Sequence, residues 1–200
     1  MELIRARISD LCYNQIVSFL GGRRKMMGEQ TEKMISECSE EIVKLSRPRV
    51  IYKILPAKDG NIPDFPIPGE NIKKLLSGCS AAVMMAATIG TEPVSYVERL
   101  RVLDIGRAFI CDACASAAVE NVCDNFENDL REALRAEGCA LTRRFSPGYG
   151  DMPLDIQPDF IAFLDAARRI GITVTDSYLM LPQKSVTAVM GIRQMPETKK

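Results

Sequence analysis

The chain has 200 residues, enough for one domain to bury a real core, and its 26 basic residues balance 26 acidic ones. No global field therefore draws it to nucleic acid or to a membrane surface, and no apolar run approaches the ~20 residues that span a bilayer. Histidine is absent and the seven cysteines are irregularly spaced; this excludes Ser-His-Asp and Cys-His catalysis, His-ligated zinc and a disulfide framework, and leads us to expect a reduced, cytoplasmic protein.

In chain order, apolar residues at Ile8, Leu11, Cys12, Ile16, Phe19 and Leu20 predict a helix over 8–20, ended by Gly21-Gly22. The basic cluster Arg23-Arg24-Lys25 and the pliable Met26 and Met27 follow. A second helix is predicted over 31–45, and a strand over 50–55 after Pro48. Residues 57–68 are rich in Pro, Gly, Asp and Asn and read as loop, followed by a short helix over 71–76. The apolar run 81–89, ended by Gly90, has strand length, although its alanines and methionines leave a helix open. Thr91-Glu92-Pro93 starts a helix to 103, and the strongest helix covers 106–137. A short strand over 139–142 comes next, then a helix over 155–170 stopped by Gly171. Strands over 173–181 and 185–192, joined at Pro182-Gln183-Lys184, read as an antiparallel hairpin ahead of a polar tail over 194–200. That hairpin favours an α+β fold over a doubly wound parallel sheet.

The stretch Arg143-Arg144-Phe145-Ser146-Pro147-Gly148-Tyr149-Gly150 combines a fixed cation, a hydroxyl, a tight turn and an aromatic ring. Pro147 presets φ near −65° and Gly148 accepts φ > 0, so Pro-Gly forms the centre of a type II turn with exposed backbone groups. Arg144 has the chemistry to grip a carboxylate through two parallel hydrogen bonds, and Tyr149 to lie along a flat ring. An ordinary surface turn is the alternative. On the long helix, Asp112, Ser116 and Glu120 recur every four residues and share a face. Alanines at 108, 113, 115, 117 and 118 make that helix slim. Glu120 then either accepts from a ligand's polar or cationic group or belongs to a solvated face. Cys111 and Cys114, mid-helix among alanines, read as small core residues rather than a redox or metal centre. No G-x-G-x-x-G or G-x-x-x-x-G-K-(S/T) phosphate cradle occurs.

These pieces together resemble a known family. Arg144-x-Ser146-Pro147-Gly148-Tyr149, a helix, then Gly171-Ile172-x-Val174-Thr175-x-Ser177-Tyr178-x-Met180-x-Pro182-x-x-Ser185-Val186 resembles the reactivation domain of cobalamin-dependent methionine synthase. The likeness covers 138–192 strongly and the helix around Glu120 less so. Residues 81–192 form the matched part, 1–80 a variable N-terminal part and 193–200 a polar tail of a single domain. It implies a C-shaped α+β domain, an antiparallel or mixed sheet flanked by helices, that binds S-adenosylmethionine without a Rossmann sheet. By the same resemblance Arg144 holds the ligand's carboxylate, and Phe145, Ser146, Pro147, Gly148 and Tyr149 receive the rest. Glu120 lies on its polar side, and the turn before Ser185 faces the corrinoid.

The implied role is that of a freestanding reactivation subunit. It would support reductive methylation of cobalamin carried by a separate methionine synthase or related corrinoid protein, with one electron from a reduced flavodoxin-like donor. Positioning and desolvation matter more than acid-base help for such a transfer, which suits a chain without histidine. The chain departs from the family pattern, and the second departure below favours an alternative, a corrinoid-docking module that no longer binds the methyl donor. The family's cysteine-containing segment after Pro-Gly-Tyr is replaced by Gly150-Asp151-Met152-Pro153. No residue here matches the family's ligand-contacting tyrosine beyond the last strand.

Overall fold

A computed structural model describes residues 2–21 and 28–195. Gly22, the cluster Arg23-Arg24-Lys25, Met26, Met27 and the tail from 196 onward lie outside the described residues. Five strands form one sheet: β1 (Glu2–Arg5), β2 (Arg49–Pro56), β3 (Ala81–Thr88), β4 (Cys139–Leu141) and β7 (Ser185–Gln194). Their order is β1-β2-β3-β7-β4 and every pairing is antiparallel. Helices α1 (Tyr13–Phe19), α2 (Glu29–Leu45), α4 (Glu92–Leu103) and α5 (Ile105–Ala136) cover one face. The shorter α3 (Glu70–Leu76), α6 (Gln157–Phe163) and α7 (Ala166–Ile170) cover the other.

The centre of the sheet explains the doubtful run at 81–89. Val83, Met85 and Ala87 enter the core under α2 and α5, while Ala82, Met84 and Ala86 enter the core under α3 and α6. A strand covered on both faces needs no polar alternation, so its sequence reads as continuous apolar residues. β7 does the same, sending Ala188, Met190 and Ile192 to one side and Val189 to the other.

α5 spans 32 residues, about 48 Å at 1.5 Å per residue. Asp104 caps it, accepting from the Arg107 N–H at 3.0 Å. Its Ala113, Ala115, Ala117 and Ala118 are buried, letting α5 lie close against the sheet and α2. Among the described residues no helix is long and apolar enough to cross a membrane.

Four sequence expectations are corrected. The first helix starts at Tyr13 rather than at 8, because α5 ties the preceding segment down: Asn121 Oδ1 accepts from the Ser9 amide at 2.9 Å, and Asn125 Nδ2 donates to the Arg7 carbonyl at 3.2 Å. The helix over 155–170 is broken into a 3₁₀ turn (Leu154–Ile156), α6 and α7. Asp165 turns left-handed at φ 51° between the two helices, where its carboxylate binds Arg168 and Arg169.

The hairpin of 173–181 with 185–192 does not form. Instead β5 (Thr173–Val174) folds back onto β6 (Met180–Leu181) as a separate two-stranded ribbon, closed by the Tyr178 N–H to Thr175 carbonyl bond at 2.9 Å. Freed from that partner, β7 becomes a central strand, paired with β3 and β4. Gln194, assigned from sequence to the tail, closes β7 opposite Cys139.

Candidate functional site

β4 delivers the chain to the Pro-Gly turn. Phe145 holds it there through two backbone bonds with Val189 of β7, at 2.9 and 2.8 Å. Gly148 stands at φ 86°, and the Tyr149 N–H donates to the Ser146 carbonyl at 3.1 Å, so Ser146-Pro147-Gly148-Tyr149 is the expected type II turn. The Ser146 amide and the Pro147 and Gly148 carbonyls have no hydrogen-bond partner among the described residues. Pro147 is buried, whereas Tyr149 is 68% exposed.

The segment Gly150-Asp151-Met152-Pro153 anchors this turn. The Asp151 carboxylate accepts from the Glu70 amide at 2.7 Å and the Asn71 amide at 3.1 Å, capping α3 from 80 residues away in sequence. Desolvation opposes that charge, but the Asn71 and Glu70 donors outweigh it and hold the Asp151 carboxyl below the usual aspartate range. A Cβ on Gly69 would stand 2.8 Å from the Asp151 Oδ1, so only glycine lets α3 start this close. Met152, beside it, is buried in the core under α3 and α6.

Two hollows meet at the turn. One, of about 800 Å³, is lined by Asn71, Lys74 and Leu75 of α3 together with Arg143, Arg144 and Phe145. The other, of about 490 Å³, is lined by Pro147, Tyr178, Gln183, Lys184 and Ser185 among others. Glu120, Ser146, Tyr149 and Val186 line both, so the two form one trough running along the turn. Glu120, Arg144, Phe145, Ser146, Pro147, Tyr149 and Ser185 are thus brought to this trough, while Gly148 shapes the turn from outside the lining. Sequence reasoning missed Asn71 and Lys74, which reach the trough only because Asp151 pulls α3 against it. Ser185 is buried, and its hydroxyl is spent on Thr88 Oγ1 at 3.0 Å.

A polar seam lines the wall. Along one face of α5, Asp112 binds Lys184 Nζ at 3.0 Å, and Ser116 accepts from the same ammonium at 2.9 Å. Further along, Arg144 binds Glu120 at 3.1 Å, Asp124 at 2.7 Å and Glu127 at 3.4 Å. Of this face Glu120 lines the trough, while Asp112 and Asp124 remain 39% and 50% exposed beside it. Desolvation works against the Arg144 charge, but Cys123, Glu120, Asp124 and Glu127 outweigh it and raise the guanidinium above its ordinary range. Its Nη1 is buried without a hydrogen-bond partner among the described residues.

Three other thiols lie away from Arg144. Cys38, Cys111 and Cys114 are fully buried in the layer where α2 packs on α5, and burial pushes the Cys114 thiol up to about 11. A hydrogen bond with Cys38 and burial raise Cys111 further, which disfavours the thiolate that redox chemistry needs. Among the described residues no group of His, Cys, Asp or Glu is placed to hold a metal ion.

No family model matches the chain, and no curated protein matches it in sequence. Among solved structures, a nitroreductase family protein from Streptococcus pneumoniae TIGR4 aligns over 98% of this chain and 89% of its own, but at 8% identity and a TM-score of 0.38 that likeness carries no argument. The crystal structure of the MetH reactivation domain bound to AdoHcy is similar over 100% of this chain and 79% of its own, with 15% identity and a TM-score of 0.72. The chain therefore has the α+β fold of a MetH reactivation domain.

Proposed function

We propose that the trough binds S-adenosylmethionine and its demethylated product, S-adenosylhomocysteine. The observation that carries this is the open Ser146–Tyr149 turn, with the paired Arg144 and Glu120 in the lining beside it, on this fold. The amino-acid end of either ligand bears a carboxylate and an ammonium. The wall offers the complement in Arg144 and Glu120, which pair with each other at 3.1 Å. The ligand's two charges would exchange for that internal pair. The Ser146 amide and the Pro147 and Gly148 carbonyls would bond its polar edge, and Tyr149 would lie along its flat ring. Taken singly, the hollows of about 800 and 490 Å³ each fall within the range of about 300–1,000 Å³ usual for small-molecule sites.

When bound, S-adenosylmethionine supplies an electrophilic methyl group. The residues here would orient it and exclude water rather than transfer protons. The activity proposed for the chain is that of a reactivation subunit. It docks on a cobalamin-carrying methionine synthase or related corrinoid protein and supports reductive methylation of its cobalt, with a reduced flavodoxin-like protein as one-electron donor. We place it in the cytoplasm with these partners.

Calorimetry tests the ligand. Wild-type chain binds S-adenosylmethionine saturably, and Arg144→Ala loses about 2–5 kcal/mol of that affinity if the contact is desolvated. An unchanged affinity in the variant overturns the assignment.

One observation favours a second reading, a corrinoid-docking module that has lost the methyl donor. Arg144 is engaged by three carboxylates, which leaves it no net charge to offer a ligand. Equilibrium dialysis separates the two, since only the first gives saturable binding.

A further inference from the structure

Away from the trough, at the start of β2, Arg49 is an anomaly. Its Nε is buried and has no hydrogen-bond acceptor among the described residues. No carboxylate forms an ion pair with it among those residues either, unlike the arginines at 7, 101, 107, 131, 144, 168 and 169. An unpaired donor under protein is costly, and a half-buried guanidinium without an acid is unusual.

Arg49 lines a hollow of about 590 Å³ together with Ala6, Arg47, Pro48, Thr91 and Glu92. Arg47 is a second cation there without an ion pair among the described residues. Its Nη1 is fixed by the carbonyls of Lys44 at 3.0 Å and Ser46 at 2.9 Å, which hold the head in place without neutralising it. Glu92, the single acid of the lining, pairs with neither arginine; its Oε2 accepts from Thr91 Oγ1 at 3.4 Å. Two arginines and one carboxylate therefore line the hollow. Arg49 Nη2 also lies 3.9 Å from where a Cβ on Gly171 would stand. Gly171 and Thr91 line a neighbouring hollow of about 490 Å³, which leaves room for a larger molecule beyond the cations.

We propose that Arg49 and Arg47 form a binding site for an oxyanion of the phosphate class, separate from the trough and independent of its assignment. A phosphate monoester matches the site better than a carboxylate. It carries nearly two negative charges and three acceptor oxygens, enough to satisfy two guanidinium forks at once.

The test uses the full chain at constant ionic strength, titrated separately with inorganic phosphate, adenosine 5′-monophosphate and acetate while the arginine Nε–Hε resonances are followed by NMR. Inorganic phosphate should shift the Arg49 resonance saturably. Arg49→Gln, and the more exposed Arg47→Gln, should each weaken phosphate binding tenfold or more, and Arg144→Ala should leave it unchanged. Tighter binding of the nucleotide than of the free ion assigns the phosphate of a larger metabolite, and equal binding assigns the ion itself. The proposal is overturned if neither phosphate shifts Arg49 saturably, if acetate binds as tightly, or if both arginine variants, folded by circular dichroism, keep wild-type affinity.

Discussion

Arg144 is a brace as well as a candidate ligand contact, because it joins the turn to three acids on α5. Its removal leaves Glu120, Asp124 and Glu127 facing one another, so Arg144→Ala should lower the melting temperature as well as ligand affinity. Arg144→Lys should recover part of the stability, supplying the charge without the fork, and little of the affinity. Tyr52 gives a pH prediction. Burial and its bond to Glu2 push its phenol up to about 12 from 10.0. A raised folded value means stability is fully present below pH 10 and lost as pH rises toward about 12. Tyr52→Phe should flatten alkaline unfolding over that window, measured by denaturant titration. Cys12 is exposed while the other six thiols are buried, so native labelling by a thiol reagent should stop at one equivalent. At this scale the sequence was informative where local geometry decides. Pro147-Gly148 dictates its own turn, and a period of four puts Ser116 and Glu120 on one face of α5. What Arg144 touches was not legible, because the acids that hold it belong to α5, up to 24 residues earlier in sequence.

Among the elements, Asp151 has the widest consequence, since it caps α3 and so brings Asn71 and Lys74 to the trough. Its folded carboxyl lies below the ordinary value of 3.8, so its contribution is present above that pH and is lost as pH falls through the lower folded value. Asp151→Ala should loosen α3, seen as faster amide exchange at Glu70 and Asn71, and should weaken ligand binding without touching the ligand. Helices with strong apolar periodicity, α2 and α5, were legible to within a few residues, because their buried faces repeat over many turns. The failed hairpin has a different origin. Residues 175–179 contain a tight turn that closes β5 onto β6, and nothing in the spacing says that β7 pairs with a strand about 100 residues earlier. The missed β1 is only four residues long, too short to display a period.

For the whole molecule, two cores flank one antiparallel sheet, and each must hold for the trough to keep its shape. Phe160 is fully buried in the core under α3 and α6 and packs edge-on to Phe65 at 5.8 Å. Phe160→Ala should cost about 3–5 kcal/mol of folding stability, read from chemical denaturation. Fold class followed from the mixture of elements, although by way of a hairpin that does not form. The order of the central strands could not be read, because β3 and β7, buried on both faces, carry no alternation to show which side each residue takes. The most direct measurement is a crystal of the full chain soaked in S-adenosylhomocysteine. Density lying along the Ser146–Tyr149 turn, with its carboxylate on Arg144 and its ammonium on Glu120, is the expected result. A trough left empty at saturating ligand, with the Arg144–Glu120 pair intact, would contradict it.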